Sequence, residues 1–168
     1  MTTLHTQPYD ISAAGFYFES AEEYAEKSAA LRNDYGDPVE EFEIQFIDGE
    51  DIDCAFAQAV GLFQGNIAAL FTAIEEWEDG QKIRCIIAVG ECSSGFNFET
   101  DNIDHLDVDL HGVETLRELA EQFVDDGYFG DIPKSVDFYI DYDAIARDLS
   151  VEYSETIIAG ERFIYRCG

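Results

Sequence analysis

Negative charge is the feature that most limits what this chain can become. Its 168 residues hold 37 aspartates and glutamates against 9 lysines and arginines, a net charge of −28. The excess is spread evenly, with 14 acidic and 2 basic residues in 1–60, 10 and 2 in 61–110, and 13 and 5 in 111–168. An acidic tail is therefore excluded, and the carboxylates belong to structured elements. A compact sphere carrying them would repel itself. An elongated shape, or partners that neutralise the charge, relieves that cost. The chain still has the means to fold: an apolar fraction of 46% and an aromatic fraction of 14% supply the core that disordered polyanions lack.

Other features bound the reading more briefly. No apolar run approaches the ~20 residues needed to cross a bilayer, and an anionic membrane surface would repel the chain. The opening "MTTLHTQPYD" has neither the basic start nor the apolar stretch of a signal peptide. Cys54, Cys85, Cys92 and Cys167 form no C-x-x-C pair, which argues against zinc and for reduced thiols. The expectation is a cytoplasmic protein.

The periodicities predict an α+β chain. A strand is expected over 13–19, then a helix over 20–32 started by Ser20, with Glu23 completing a capping box. Its Ala21, Tyr24, Ala25 and Ser28 face inward while Glu22, Glu23 and Glu26 face out. Residues 41–47 alternate as a half-buried strand, and 51–60 suit a short helix. Asn66 is placed to cap a second helix with Ile67, Leu70, Phe71, Ile74 and Trp77 on one face, its end exposing Glu75, Glu76, Glu78 and Asp79. "KIRCIIAVG" (82–90) is read as a buried strand and "SSGFNFETDN" as a loop. Residues 105–111 alternate like a strand with Leu106, Val108 and Leu110 together. A helix follows over 113–126, with Val113, Leu116, Ala120, Phe123 and Val124 inward. Short helices run through Asp148, and a hairpin turns at Ala159-Gly160.

Three clusters invite chemistry. Asp107, Asp109, Gly112 and Glu118 fit positions 1, 3, 6 and 12 of an EF-hand loop. Yet His111 and Glu114 occupy wrong positions, and a strand rather than a helix precedes the loop, so calcium is rejected. His105, Asp107, Asp109 and His111 would share one strand face as a metal-ligand row, but the wet side of an amphipathic strand is the favoured reading. His5 sits near a terminus expected to be loose. No nucleophile elbow, Walker loop, dinucleotide fingerprint or H-E-x-x-H motif is present, and no carboxylate pair stands out. The chain is read as a non-enzyme with no cofactor and no metal.

The acidic stripes remain. On the 113–126 helix Glu114, Glu118, Glu121 and Asp125 follow i, i+4, i+7, i+11, a line of like charges roughly 5–6 Å apart that repel by a few tenths of a kcal/mol per pair. Asp126, Asp131, Asp137, Asp141, Asp143 and Asp148 continue the density. A solvated face explains one such helix. Every third of the chain repeating it, with few cations to pair, implies a cationic surface to be met. Duplex DNA presents one charge per ~1.7 Å, so 28 charges at that pitch span roughly 48 Å, or about 14 base pairs.

"RELAEQFVDDGYFGDIP", followed by "YIDYDAIARDLS" and "GERFIYR", resembles the ArdA antirestriction proteins of plasmids and conjugative transposons. The resemblance is strongest over 113–168 and extends to 40–80, while Gly15-Phe16 stands where many members carry Gly-Trp. It implies an elongated homodimer of small domains in a row (1–61, 62–103 and 104–168) that imitates bent DNA. The implied partner is a type I restriction–modification enzyme, whose methyltransferase/specificity core it occupies so that incoming DNA escapes cleavage; direct binding to nucleic acid or membrane is not implied. Leu116, Leu119, Ala120, Glu121, Phe123, Val124, Gly127, Phe129 and Gly130 correspond to the family's antirestriction segment. The competing readings are a salt-adapted soluble domain and an acidic decoy for another DNA-binding protein.

Overall fold

The computed structural model describes residues 1–168. It is an α+β protein with seven helices and two three-stranded antiparallel sheets. Contacts divide it into two units, Met1–Leu106 and Asp107–Gly168. Both are anionic: the first holds 22 carboxylates and 4 lysines and arginines, the second 15 and 5. No single helix is long and apolar enough to cross a membrane.

The first unit is built on the sheet β2-β1-β3, formed by β1 (Thr3–Pro8), β2 (Phe16–Phe18) and β3 (Phe42–Asp48). The terminus expected to be loose is thus the central strand, and His5 lies within it, packed on Tyr17 with ring centroids 4.6 Å apart. Few apolar residues mark β1, because its inward position Thr6 is fully buried and polar. Thr6 Oγ1 accepts from the Phe16 N–H (3.1 Å) and donates to the Phe16 carbonyl (3.3 Å), so the hydroxyl is satisfied inside the core. The approach to β2 requires Gly15, where a Cβ would overlap the Thr6 carbonyl oxygen.

Helix α1 (Ala21–Ala30) starts as its sequence requires. Ser20 Oγ accepts from the Glu23 N–H at 3.1 Å, and Glu23 Oε2 accepts from the Glu19 N–H at 2.7 Å. The loop that follows β3 leads into α2 (Asp51–Val60), then α3 (Ile67–Glu76) and α4 (Asp79–Gly90). Leu4, Phe18, Phe42 and Ile44 of the sheet share one core with Phe56 of α2, Ile67, Leu70 and Phe71 of α3, and Cys85 of α4. Residues on both sides of the expected 61/62 boundary therefore pack together. Asn66 does not cap α3 with its side chain. Its Oδ1 accepts from the Phe63 N–H (3.0 Å) and its Nδ2 donates to the Gly61 carbonyl (2.8 Å), holding the turn that joins α2 to α3.

The strand expected over 82–90 is the helix α4. A continuous apolar run fits a buried strand or a buried helix equally well, and α4 is buried along most of its length at Lys82, Ile83, Cys85, Ile87 and Ala88. Tertiary chemistry decides the matter. Gln81 Oε1 accepts from the Glu78 N–H at the helix start (3.1 Å), and Lys82 Nζ reaches Asp53 Oδ1 of α2 at 2.6 Å and the Ile74 carbonyl of α3 at 3.2 Å. Burial raises the Cys85 thiol to about 12, which leaves it unreactive. The 91–102 loop is fastened by Phe96 and Phe98, which surround Trp77 at 5.7 and 6.0 Å.

The second unit carries the sheet β4-β6-β5, from β4 (Val108–His111), β5 (Ser154–Ile158) and β6 (Glu161–Cys167), with helices α5 (Leu116–Asp125), α6 (Lys134–Asp137) and α7 (Tyr142–Leu149) between them. The expected hairpin turns at Ala159 and Gly160, with φ of 50° and 83°, the two left-handed residues that a two-residue turn of type I′ demands. Leu119, Phe123, Tyr153 and Ile164 form the core, edged by Val113, Leu116 and Leu149. Leu119, absent from the inward face expected for the helix, is fully buried.

The Asp53–Lys82 pair is almost wholly buried, so losing one partner strands a charge. Lys82→Met should lower the unfolding free energy by about 3–5 kcal/mol in chemical denaturation, whereas Asp53→Leu/Lys82→Met should recover most of it. A single variant as stable as the parent would show that the ion pair contributes nothing to holding α2 on α4.

Candidate functional surface

Helix α5 carries most of the segment singled out in the sequence, and both its ends are chemically fixed. At the start, Thr115 Oγ1 accepts from the Glu118 N–H (3.1 Å), while Glu118 Oε2 accepts from the Glu114 N–H (3.0 Å). At the end, the Gly127 N–H donates to Val124 O (3.1 Å) and the Tyr128 N–H to Phe123 O (3.0 Å). This Schellman closure places Gly127 at φ 79° and stacks Tyr128 on Phe123 at 4.5 Å. Leu119, Ala120, Phe123 and Val124 point into the core. Leu116 and Glu121 are half-buried, and Gly127, Phe129 and Gly130 are exposed.

The expected four-residue line of carboxylates is shorter than its spacing suggested. Glu114 precedes the helix, because Thr115 is its N-cap. Glu118, Glu121 and Asp125 form the helical stripe, and an arginine overlooked in the sequence lies beside it. Arg117 bonds to Glu121 at 3.2 Å and to Asp143 of α7 at 2.7 Å, tying the acidic faces of α5 and α7 together. The Asp143 carboxylate is the main cause of its raised pKa. The i, i+4 spacing of Arg117 and Glu121 was the available signal; the contact to Asp143 was not readable.

Nor do His105, Asp107, Asp109 and His111 form a row. His105 ends a short 3-10 turn, Ile103–His105, in the first unit. Asp109 is already engaged by its cross-strand neighbour Arg166 (3.3 Å) and by the Tyr153 hydroxyl, which donates to Oδ2 at 2.9 Å. His111 Nε2 lies 3.1 Å from Asp109 Oδ1, near enough for an ion pair once protonated though not aligned as a hydrogen bond.

The remaining carboxylates sort by helix end. Glu22 and Glu23 on α1, Asp79 on α4, Glu118 on α5 and Asp143 on α7 stand in first turns, where the positive end of the helix dipole favours them. Asp141 caps α7 by accepting from the Ala144 N–H at 3.0 Å, and Glu78 is the N-cap of α4. Glu23 is held further by Lys27 at 2.6 Å, the first cause of its lowered pKa, followed by the Glu19 N–H. Glu75 and Glu76 close α3, and Asp125 and Asp126 close α5, where the dipole opposes them and the last turn holds no basic residue. Glu26, Asp131, Asp137 and Asp148 are exposed. Glu75, Glu76, Asp125 and Asp126 are thus carboxylates that their own helices disfavour.

Residues 11–161 match the family profile described as antirestriction protein (ArdA). The chain belongs to the ArdA family. No individual curated protein matches it. ArdA proteins are inhibitors rather than enzymes, and membership supports an antirestriction function.

Two outcomes follow for this ArdA chain. Replacing Asp125 and Asp126 with asparagine should raise stability by roughly 0.3–1 kcal/mol per site, read by thermal or chemical unfolding; a loss of stability would mean these carboxylates serve the fold after all. Tyr153 should titrate late. Burial, then its hydrogen bond to Asp109, raises its pKa to about 12, against about 10 for a free phenol. The folded form thus holds its proton longer, so the contribution is complete below about pH 10 and is lost as pH climbs to about 12. Unfolding measured across that window should fall less steeply for Tyr153→Phe than for the parent.

Proposed function

We propose that this chain blocks restriction by imitating DNA: it occupies the DNA-binding groove of type I restriction–modification enzymes and so protects incoming plasmid or transposon DNA. The observation that carries the reading is the pairing of an ArdA profile match over 11–161 with a carboxylate excess on both folded units. The charge at the C-terminal ends of α3 and α5 supports it, because those groups weaken their own helices and gain only from a cation brought by a partner. The reading carries with it small domains strung lengthwise, a homodimer, a cytoplasmic site of action and contact with the methyltransferase/specificity core. Such a dimer would double the length over which phosphates are imitated.

Carboxylates copy phosphates but not the donor and acceptor pattern of base edges, so the contact resembles backbone binding. The chain should displace DNA from type I enzymes with unrelated recognition sequences in a gel-shift competition, and binding should weaken as salt rises. Single acidic-to-neutral substitutions should each change inhibition little, since the charge is shared. Potent action on one enzyme only, or abolition by one such substitution, would contradict the proposal and indicate a localised site.

A further inference from the structure

The second unit holds two of its own arginines in one way. The Arg117 guanidinium lies over the Tyr142 ring, 5.9 Å from its centroid, and bonds to Asp143 and Glu121. The Arg166 guanidinium lies over Tyr153 at 5.1 Å and bonds to Glu152 at 3.2 Å and Asp109 at 3.3 Å. An aromatic face flanked by two carboxylates is how this fold receives a planar cation. The ring attracts the charge, and the carboxylates match the guanidinium fork.

Two further rings of this unit face solvent, with aspartates beside them in the chain. Phe138 and Tyr139 are 93% and 81% exposed and meet edge to face at 6.0 Å. Asp137 precedes them and Asp141 follows. Asp141 is fixed by capping α7, and Tyr139 is fixed by its N–H bond to the Val136 carbonyl (2.9 Å). Around the rings, 131–141 carries Asp131, Asp137 and Asp141 against Lys134 alone. Like charge opposes covering this site with a second copy of itself, whereas a cationic surface is complementary.

We propose that Phe138 and Tyr139, with Asp137 and Asp141, form a docking site for an arginine side chain of a DNA-binding partner. The proposal rests on the DNA-mimic reading and adds to it. An arginine that would grip a phosphate is received on a ring face as well as by carboxylates, which gives the contact a component that salt does not screen. Arginine is favoured over lysine because its weakly hydrated plane stacks, while an ammonium stays hydrated.

Oligo-arginine and oligo-lysine peptides of equal charge, titrated against the parent chain at several salt concentrations, test the site without assuming the target. The arginine peptide should bind about 3–10-fold tighter. Phe138→Leu/Tyr139→Leu keeps apolar area but removes the ring faces, and should bring the ratio near one while leaving the salt dependence unchanged, since no charge is altered. The same variant should lose a similar factor in displacing DNA from a type I methyltransferase. Equal binding of the two peptides by the parent, or a preference that survives in the variant, overturns the proposal. So does a variant that sediments as a smaller species than the parent, which would assign the rings to a contact between copies. Should the parent itself fail to displace DNA, the DNA-mimic reading falls, and the peptide ratio still decides whether these rings take arginine.

Discussion

Repulsion among carboxylates is the constraint that the rest of the structure answers. The interior stays almost free of charge, with Asp53 and Lys82 the charged residues among its buried side chains, and those two are paired. At the surface, helix starts absorb anions as caps and first-turn residues, converting part of the repulsion into favourable interaction with backbone N–H groups. Arg117 and Arg166 then serve two carboxylates each. These devices reach only some of the 37 acidic groups. The rest, such as Glu75, Glu76, Asp125 and Asp126, stand where local physics disfavours them, and that is the reason to look outside the chain for their counterion.

An anionic array is useful to a partner only if it is held still. A flexible polyanion must be ordered on binding, which subtracts from affinity. Here the stripe on α5 is attached to a helix closed by a side chain at Thr115 and by a Schellman turn at Gly127. The segment singled out in the sequence illustrates the division of labour. Its apolar members Leu119, Ala120, Phe123 and Val124 build the core under the helix, and Gly127 supplies the left-handed residue that ends it. Under the proposed DNA mimicry, their contribution is to aim what the other face displays.

What could be read from the sequence was governed by how local its cause is. The Ser20–Glu23 cap, the alternation of Phe42 and Ile44, the 51–60 helix and the Ala159-Gly160 turn each depend on residues within a few positions, and each was legible. Strand β1 was not, because its pattern of Leu4, Thr6 and Pro8 hides a buried hydroxyl whose partner, Phe16, is ten residues away. Helix α4 was misread because the short apolar run 85–89 carries no period, and the contact that favours the helix comes from Asp53 on α2. The candidate surface divides likewise. The exposed carboxylates were visible as charge, but the roles of Glu118 and Asp141 in capping, and of Asp143 in holding Arg117, depend on where helices begin and which faces meet.

The placement of arginine ties these threads together. In a chain with so few cations, diffuse attraction would be served by lysines anywhere on the surface. Arg117 and Arg166 instead occupy positions with a ring on one side and carboxylates around the rim, where planarity and weak hydration matter as much as charge. A surface that selects arginine over lysine for its own cohesion has the chemistry to select it in a partner. Proteins that hold phosphates use arginine for its bidentate geometry, so the same rings and carboxylates that stabilise the second unit define which cation its exposed counterparts would accept.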